Sequence, residues 1–342
     1  MPFAGFPQTI QTLEDYSERV YVDPECSSSA GCCGDGTQEC PFATWADVGQ
    51  LNAPDTAYLQ KRGTTDTIDG RLLPNAAGQL IGAYGEGERP LLQTTFVAEG
   101  DRSLIETQSG GMNLTVRDLE LSAPGLASCV KLGAFTVVYD TVIRDSGWGI
   151  RGYTQGFRII GNEIHDTKDD GIFVQNVSFF EIGNNTIYRV NTNWVAPTTP
   201  QSEAAGDGIQ LAQADMWWVH DNDIDRTSSG NKFCFIADVT TYGIFEGNSL
   251  QGPLDTQEGG ASIYLSESGG GQFVIRGNDI NGPNPGSSIY THALGVEIYE
   301  NDFDDSGVIY CSGSCEVHHN VFQNISGELF SGNIDEHDNT FL

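Results

Sequence analysis

The strongest constraint on this chain is an internal repeat. From residue 135 onward, two apolar residues spaced by one are followed by Asn and then by a further apolar residue. The copies read FRIIGNEI, FEIGNNTI, WWVHDNDI, GIFEGNSL, FVIRGNDI, VEIYENDF, CEVHHNVF and IDEHDNTF. Their shared positions are Asn162, Asn185, Asn222, Asn248, Asn278, Asn301, Asn320 and Asn339, with Asp140 taking the place one repeat earlier. The spacings are 22, 23, 37, 26, 30, 23, 19 and 19 residues. A second segment precedes each unit, as in SLIETQ, SCVKLG, WGIRGY, DGIFVQ, DGIQLA, KFCFIA, ASIYLS, SSIYTH and GVIYCS. It alternates inward Ile, Val or Leu with outward residues at the two-residue period of a strand.

Two or three short strands per unit cannot enclose a core alone, but stacked copies bury one continuous apolar column. Asn suits the corners, because it tolerates the left-handed bend and its amide can bond the Asn of the next copy. A β-propeller would need about 40–45 residues per blade. The repeat therefore predicts an all-β chain folded as a right-handed parallel β-helix, a solenoid of roughly ten or more coils with a few inserted loops. The expected organisation is a single domain over 1–342. Residues 1–55 form an N-terminal cap and Cys-rich loop, with TWADVGQL as a short covering helix, and the coils run over 56–342. The 37-residue spacing holds the insertion VNTNWVAPTTPQSEAAG, whose Trp194 would wall a groove. PLDTQEGG and SESGGGQ are smaller excursions.

Composition agrees with a chain of strands and turns, since Gly supplies 42 of 342 residues. Sixteen Lys and Arg face 47 Asp and Glu, for a net charge of −31. That balance excludes general nucleic-acid binding, which needs basic surface. No apolar run approaches the ~20 residues of a membrane helix. Of eight cysteines, Cys26, Cys32, Cys33 and Cys40 crowd a Gly/Ser-rich loop and read as disulfides. Cys311 and Cys315 could close a small ring, and Cys129 and Cys234 read as buried thiols. The opening MPFAGFP lacks a basic and an apolar region, so with these cysteines the expectation is a secreted protein in mature form.

In-register parallel strands turn each outward position into a column with neighbours ~4.8 Å apart. The residue after each conserved inward position gives Glu106, Lys131, Arg151, Phe173, Gln210, Phe235, Tyr264, Tyr290 and Tyr310. Two residues on lie Gln108, Gly133, Tyr153, Gln175, Ala212, Ala237, Ser266, His292 and Ser312. Long polar and aromatic side chains on one face would offer an extended glycan stacking platforms and hydrogen bonds. Candidate substrate-binding residues are Lys168, Gln175, Gln210, Tyr264, Tyr290 and His292. His220, His318, His319 and His337 fall in the far strand and read as surface residues. Basic residues concentrate in 102–189, where Arg102, Arg117, Lys131, Arg144, Arg151, Arg158, Lys168 and Arg189 all lie. Arg117 and Arg158 read as partners of nearby carboxylates. Lys131 and Arg151, one coil apart on one column, would repel each other unless an anion sat over them.

A Lys on one coil and an Arg on the next resembles the catalytic pair of the alginate and chondroitin-B lyase family, parallel β-helix enzymes that cleave uronate polysaccharides by β-elimination. The resemblance implies an anionic polysaccharide as substrate, Arg151 neutralising the uronate carboxylate and Lys131 acting as general base. Tyr153 or His165 would protonate the leaving oxygen. It also implies calcium as the cofactor at Glu106, where that family places metal ligands. A uronate C5-epimerase would share the proton abstraction. The competing site is acidic: Asp169, Asp170 and Asp207, in KDDGIFVQ and GDGIQL, resemble the carboxylates of polygalacturonase-type glycoside hydrolases. Asp-Gly is equally an ordinary turn before a strand. A non-catalytic glycan-binding adhesin is the remaining class.

Overall fold

The computed structural model describes residues 10–26, 34–97, 100–108, 111–192, 206–227, 233–252, 261–266, 271–282, 287–325 and 327–342. Two compact units divide the chain, one over residues 1–163 and one over 164–342. Both are built almost wholly of parallel strands.

In the first unit, three series of short strands recur once per coil. Ser103–Glu106, Ser128–Leu132 and Trp148–Gly152 pair in register, and so do Leu80–Tyr84, Thr115–Arg117, Val137–Tyr139 and Arg158–Ile160. The third series is Thr65–Ile68, Leu91–Thr94, Glu120–Ser122 and Val142–Arg144. The inward rungs Ile105, Val130 and Ile150 are fully buried. The parallel stack starts earlier than expected. Glu18–Val22 pairs with Thr56–Lys61, which pairs with Leu80–Tyr84, so part of the anticipated cap is already a rung. TWADVGQL does contain a helix, Trp45–Val48, whose Thr44 hydroxyl accepts the Asp47 N–H. Trp45 is buried and donates its indole N–H to Gln60 Oε1 at 2.8 Å.

In the second unit the first two series fuse into long strands, Ile172–Gly183 and Ile209–His220, which pair along their length. They separate again over Phe233–Asp238, Ala261–Leu265 and Ser287–Thr291. Ile172, Ile209, Phe235, Ile263, Ile289 and Ile309 form one buried column, each side chain contributing about 1.5–3 kcal/mol. Phe235 therefore points inward. Ile236, not Phe235, takes the outward place between Gln210 and Tyr264, and Asp238, not Ala237, follows Ala212. The sequence KFCFIA carries five apolar residues in a row, Phe233 to Ala237, which hid the phase.

The corner asparagines form the expected ladder. In the second unit, Asn185, Asn222, Asn248, Asn278, Asn301 and Asn320 each donate from Nδ2 to the Oδ1 of the next, ending at Asn339, at 2.9–3.1 Å. The same Oδ1 accepts the backbone N–H of the preceding Asn at 2.9–3.0 Å. The left-handed bend belongs to the residue before each one: Asn184, Asp221, Gly247, Gly277, Glu300, His319 and Asp338 have positive φ, and the ladder asparagines do not. Asn is selected here for its amide rather than for its backbone freedom. Asp140, with φ of 49°, occupies this bend position, and it is Thr141 N that bonds Asn162 Oδ1 at 3.1 Å. The expected equivalence of Asp140 with the ladder is off by one residue.

Cys311 and Cys315 are disulfide-bonded, and Cys26 and Cys40 each belong to a disulfide. Cys129 and Cys234 are buried thiols, pushed up to about 12 by burial. Cys32, Cys33 and most of the insertion, including Trp194, lie outside the described residues, as do all of PLDTQEGG and the middle of SESGGGQ. His220 is not a surface residue. It is 6% exposed, stacked on Trp218 at 3.7 Å, with Nδ1 and Nε2 bonded to Asp221 at 2.8 Å and Glu181 at 3.2 Å.

Replacing Asn222 by Ala removes the bonds to Asn185, Asn248 and the Ile182 and His220 carbonyls. It should cost roughly 1–3 kcal/mol, read as a lowered midpoint in urea denaturation. His220 supplies a pH dependence. Burial opposes its charge, but the Glu181 and Asp221 carboxylates raise its pKa above the usual 6.5. A raised folded value means that the stabilisation is complete below about 6.5 and is lost as pH rises through the raised value. Denaturation midpoints of wild type should fall over that alkaline-going interval, and those of His220→Phe should lack this component.

Candidate functional site

Register places Glu106, Lys131 and Arg151 on three successive rungs of one column in the first unit, as expected. The anion over the two cations is the chain's own. Asp101 bonds Lys131 Nζ at 3.2 Å and makes an ion pair with Arg151 through its other oxygen. Arg151 is only 3% exposed, and its guanidinium lies over the Trp148 ring at 5.1 Å. Burial pushes the Arg151 pKa below its ordinary value. Its Nε has no hydrogen-bond partner among the described residues.

Glu106 is buried and ringed by positive charge. Arg71 forms an ion pair with one carboxylate oxygen, while Arg102 and Lys131 approach the other at 3.8 and 3.9 Å. Calcium needs several oxygen donors around a site that welcomes positive charge. Three cationic side chains around one carboxylate do not fit that ion, so the expected metal role of Glu106 is corrected to an anchor for Arg71, Arg102 and Lys131. Among the described residues no group of three or more His, Cys, Asp or Glu could hold a metal ion. Four cations (Arg71, Arg102, Lys131 and Arg151) against two carboxylates (Glu106 and Asp101) leave this cluster net positive within a chain of net charge −31.

Tyr153 follows Arg151 by two residues, just past the end of the strand Trp148–Gly152, and is 40% exposed. His165 belongs to the second unit. There its Nδ1 meets Asp166 at 2.6 Å and Arg189 at 3.2 Å, and its ring stacks on Tyr188. Those partners hold it in the second unit, and Tyr153 is the acid candidate close to Arg151 in the first. Arg71 and Asp101 were missed from sequence because both lie in connections with no repeat pattern.

The acidic alternative takes a structural form. Asp170 and Asp207 are 1% and 2% exposed. Asp170 Oδ1 accepts the Asp207 N–H at 2.6 Å, and Asp207 Oδ1 accepts the Phe233 N–H at 3.1 Å, so each aspartate tethers the next coil. The glycine after each has its own reason: a Cβ on Gly171 or Gly208 would meet the Gly208 or Cys234 carbonyl oxygen at 2.8 or 2.5 Å. Fully buried Arg226, whose Nη2 donates to Gly206 O at 2.6 Å, feels both carboxylates. Asp170 and Asp207 are therefore turn and tether residues, not an acid–base pair facing a groove. Asp169 is only half-buried.

A search of curated protein sequences gives no significant match. The family model for a right-handed β-helix region matches residues 104–303. The chain belongs to that β-helix family. Among solved structures, a lacto-N-biosidase from Eubacterium ramulus is similar at 15% identity, over 95% of this chain and 68% of that one, with a TM-score of 0.66. An alginate lyase from Paenibacillus sp. is similar at 15% identity over 93% and 99%, with a TM-score of 0.57. The pectate lyase Pel9A is similar at 15% identity over 95% and 78%, also with a TM-score of 0.57. Likeness at this identity shows the β-helix fold and nothing finer.

In the second unit of the β-helix, Tyr264, Tyr290 and Tyr310 occupy successive rungs as expected. Their rings stack on one another, with centroids 5.6 and 4.6 Å apart and planes within 9° and 14°. Faces spent on each other are not open platforms, which revises the expectation of sugar stacking toward hydrogen bonding at the ring edges. His292 stands edge-on to Tyr290 and bonds the Ser312 hydroxyl. Gln210 lies between Phe173 and Ile236 on the same column, Gln175 pairs with Ala212, and Lys168 is exposed.

Arg226→Ala should cost roughly 3–5 kcal/mol, because Asp170 and Asp207 would stay buried without their cation. Urea denaturation checks this. An unchanged midpoint would mean that the aspartates do not depend on Arg226.

Proposed function

We propose that this β-helix protein is a polysaccharide lyase that cleaves a uronate-containing, alginate-like anionic polysaccharide by β-elimination. The observation that carries the proposal is the Lys131–Arg151 pair, in register on adjacent rungs and bridged by a carboxylate. A site that holds one carboxylate between two cations is complementary to another. That a pectate lyase and an alginate lyase share the fold is in keeping with this reading. The disulfides support an oxidising, extracellular setting.

The chemistry follows from the acidity of the C5 proton of a uronate, which is too low for removal while the carboxylate bears its full charge. In the proposed complex the substrate carboxylate takes the place of Asp101 against Arg151. Charge developing on the enolate-like transition state is then stabilised by a cation fixed in a buried position. With Asp101 displaced, the Lys131 amine stands on the rung next to Arg151 as the base that faces the bound uronate. The free amine takes the C5 proton, electrons move to form the C4–C5 double bond, and the C4–O bond breaks. Tyr153 gives its proton to the departing oxygen. An epimerase would stop after the first proton transfer and return a proton to the other face.

Incubation with alginate, polygalacturonate and chondroitin, followed by ultraviolet absorbance of the conjugated product, tests the proposal. Rising absorbance with at least one polymer is expected. New reducing ends without absorbance would replace the lyase by a hydrolase. Lys131→Ala should lower turnover by roughly 10²–10⁴-fold, the usual contribution of a general base, with a melting temperature close to that of wild type. Full activity in that variant would remove Lys131 from the reaction.

A further inference from the structure

A cavity of about 450 Å³ lies in the first unit between the helix Trp45–Val48 with its following loop and the segment 68–75, and Gln108 also contributes to its wall. Its volume is in the range of small-ligand sites. Three features define what it would take. Leu73, 37% exposed, gives an apolar patch, and Ile68 and Leu72 line the cavity as well. Gln50, Asn52 and Asn75, all exposed, surround that patch with amide donors and acceptors. Asp69 is the carboxylate of the lining and Arg71 the cation, but Arg71 is committed to Glu106. A pyranose ring has the matching character, with an apolar C–H face and a rim of hydroxyls. The exposed Asp69 carboxylate disfavours a uronate and leaves a neutral ring as the better match.

Position relates this cavity to the anion site. Leu72 bridges Ile105 in parallel, which puts Leu73 on the rung before Glu106 and two rungs before Lys131. At ~4.8 Å per rung, Leu73 and Lys131 are separated by about 10 Å, roughly the reach of two linked sugar rings. We infer that the cavity is a binding pocket for a neutral sugar unit, and that one glycan can fill it while presenting a uronate to Lys131 and Arg151. The second half of this inference rests on the proposed function; the pocket itself does not.

The test uses the whole protein and isothermal titration with neutral disaccharides (cellobiose, maltose, lactose and mannobiose) and with a uronate disaccharide. Gly70 lines the cavity, has ordinary φ, and an added Cβ there meets nothing within 4 Å, so Gly70→Trp fills the space without backbone strain. At least one neutral disaccharide should bind wild type and Lys131→Ala alike, and should bind Gly70→Trp roughly tenfold more weakly or worse. Asp69→Lys provides a second reading if Gly70→Trp fails to fold, and it should weaken neutral-sugar binding while admitting the uronate. Absence of saturable binding by every neutral disaccharide overturns the pocket, as does equal binding by wild type and the folded pocket variants. Neutral-sugar binding in a protein without lyase activity would keep the pocket and remove the shared glycan.

Discussion

Register between parallel rungs is the constraint on which the rest of the structure depends. In a coiled chain of this kind, a side chain's neighbours are set by where the next coil begins, and a slip of one residue would turn an outward column into the core. The asparagine ladder fixes that phase at one corner of each coil in the second unit, because Nδ2 and Oδ1 are both satisfied only when the next Asn stands directly above. Asp170 and Asp207 do the same at the opening of the first strand, each binding a backbone N–H one coil on. In those two coils polar tethers therefore bracket an apolar rung that has little directional preference of its own.

The tethers also explain what could be read in advance. A residue whose place is set by the repeat is legible: Glu106, Lys131 and Arg151 fall on one column because Ile105, Val130 and Ile150 fall on another. Phe235 was misplaced where Phe233, Cys234, Phe235 and Ile236 give no alternation, and pairing with Ile209 and Ile263 decides the phase instead. Asp140 was misaligned because a left-handed bend and a ladder position attract the same residue types. Arg71 and Asp101 were invisible, since they reach the column from connections where no period operates. The aromatic stripe was legible as a stripe, but ring orientation depends on side-chain torsions. Those torsions let Tyr264, Tyr290 and Tyr310 satisfy one another before any ligand arrives.

The charge cluster shows how a strongly acidic chain keeps a positive site. Glu106, almost inaccessible to solvent, holds Arg71 close and draws Arg102 and Lys131 toward it, so repulsion among the cations is partly offset from behind. Asp101 offsets it from the front, and the two carboxylates differ in a way that bears on function. Glu106 is buried, whereas the Asp101 side chain is half exposed. Water and ligands reach the front counter-ion and not the rear one.

On the proposed reading, that asymmetry selects the substrate. Removing Asp101 without replacement would leave Arg151 buried and unpaired, which costs roughly 3–5 kcal/mol for a buried pair and somewhat less here because Asp101 is partly solvated. A neutral sugar cannot recover this loss, since hydroxyl groups bond a guanidinium without neutralising it. A uronate carboxylate recovers nearly all of it, because it restores a charge-assisted pair of the same kind. The discrimination therefore comes from the penalty imposed on the wrong ligand more than from extra contacts with the right one. It also separates the two proposed sugar-binding regions of the first unit by charge: the column around Arg151 would admit a ligand only by exchange of carboxylates, while Arg71, the cation lining the cavity beside Leu73, is already paired with Glu106.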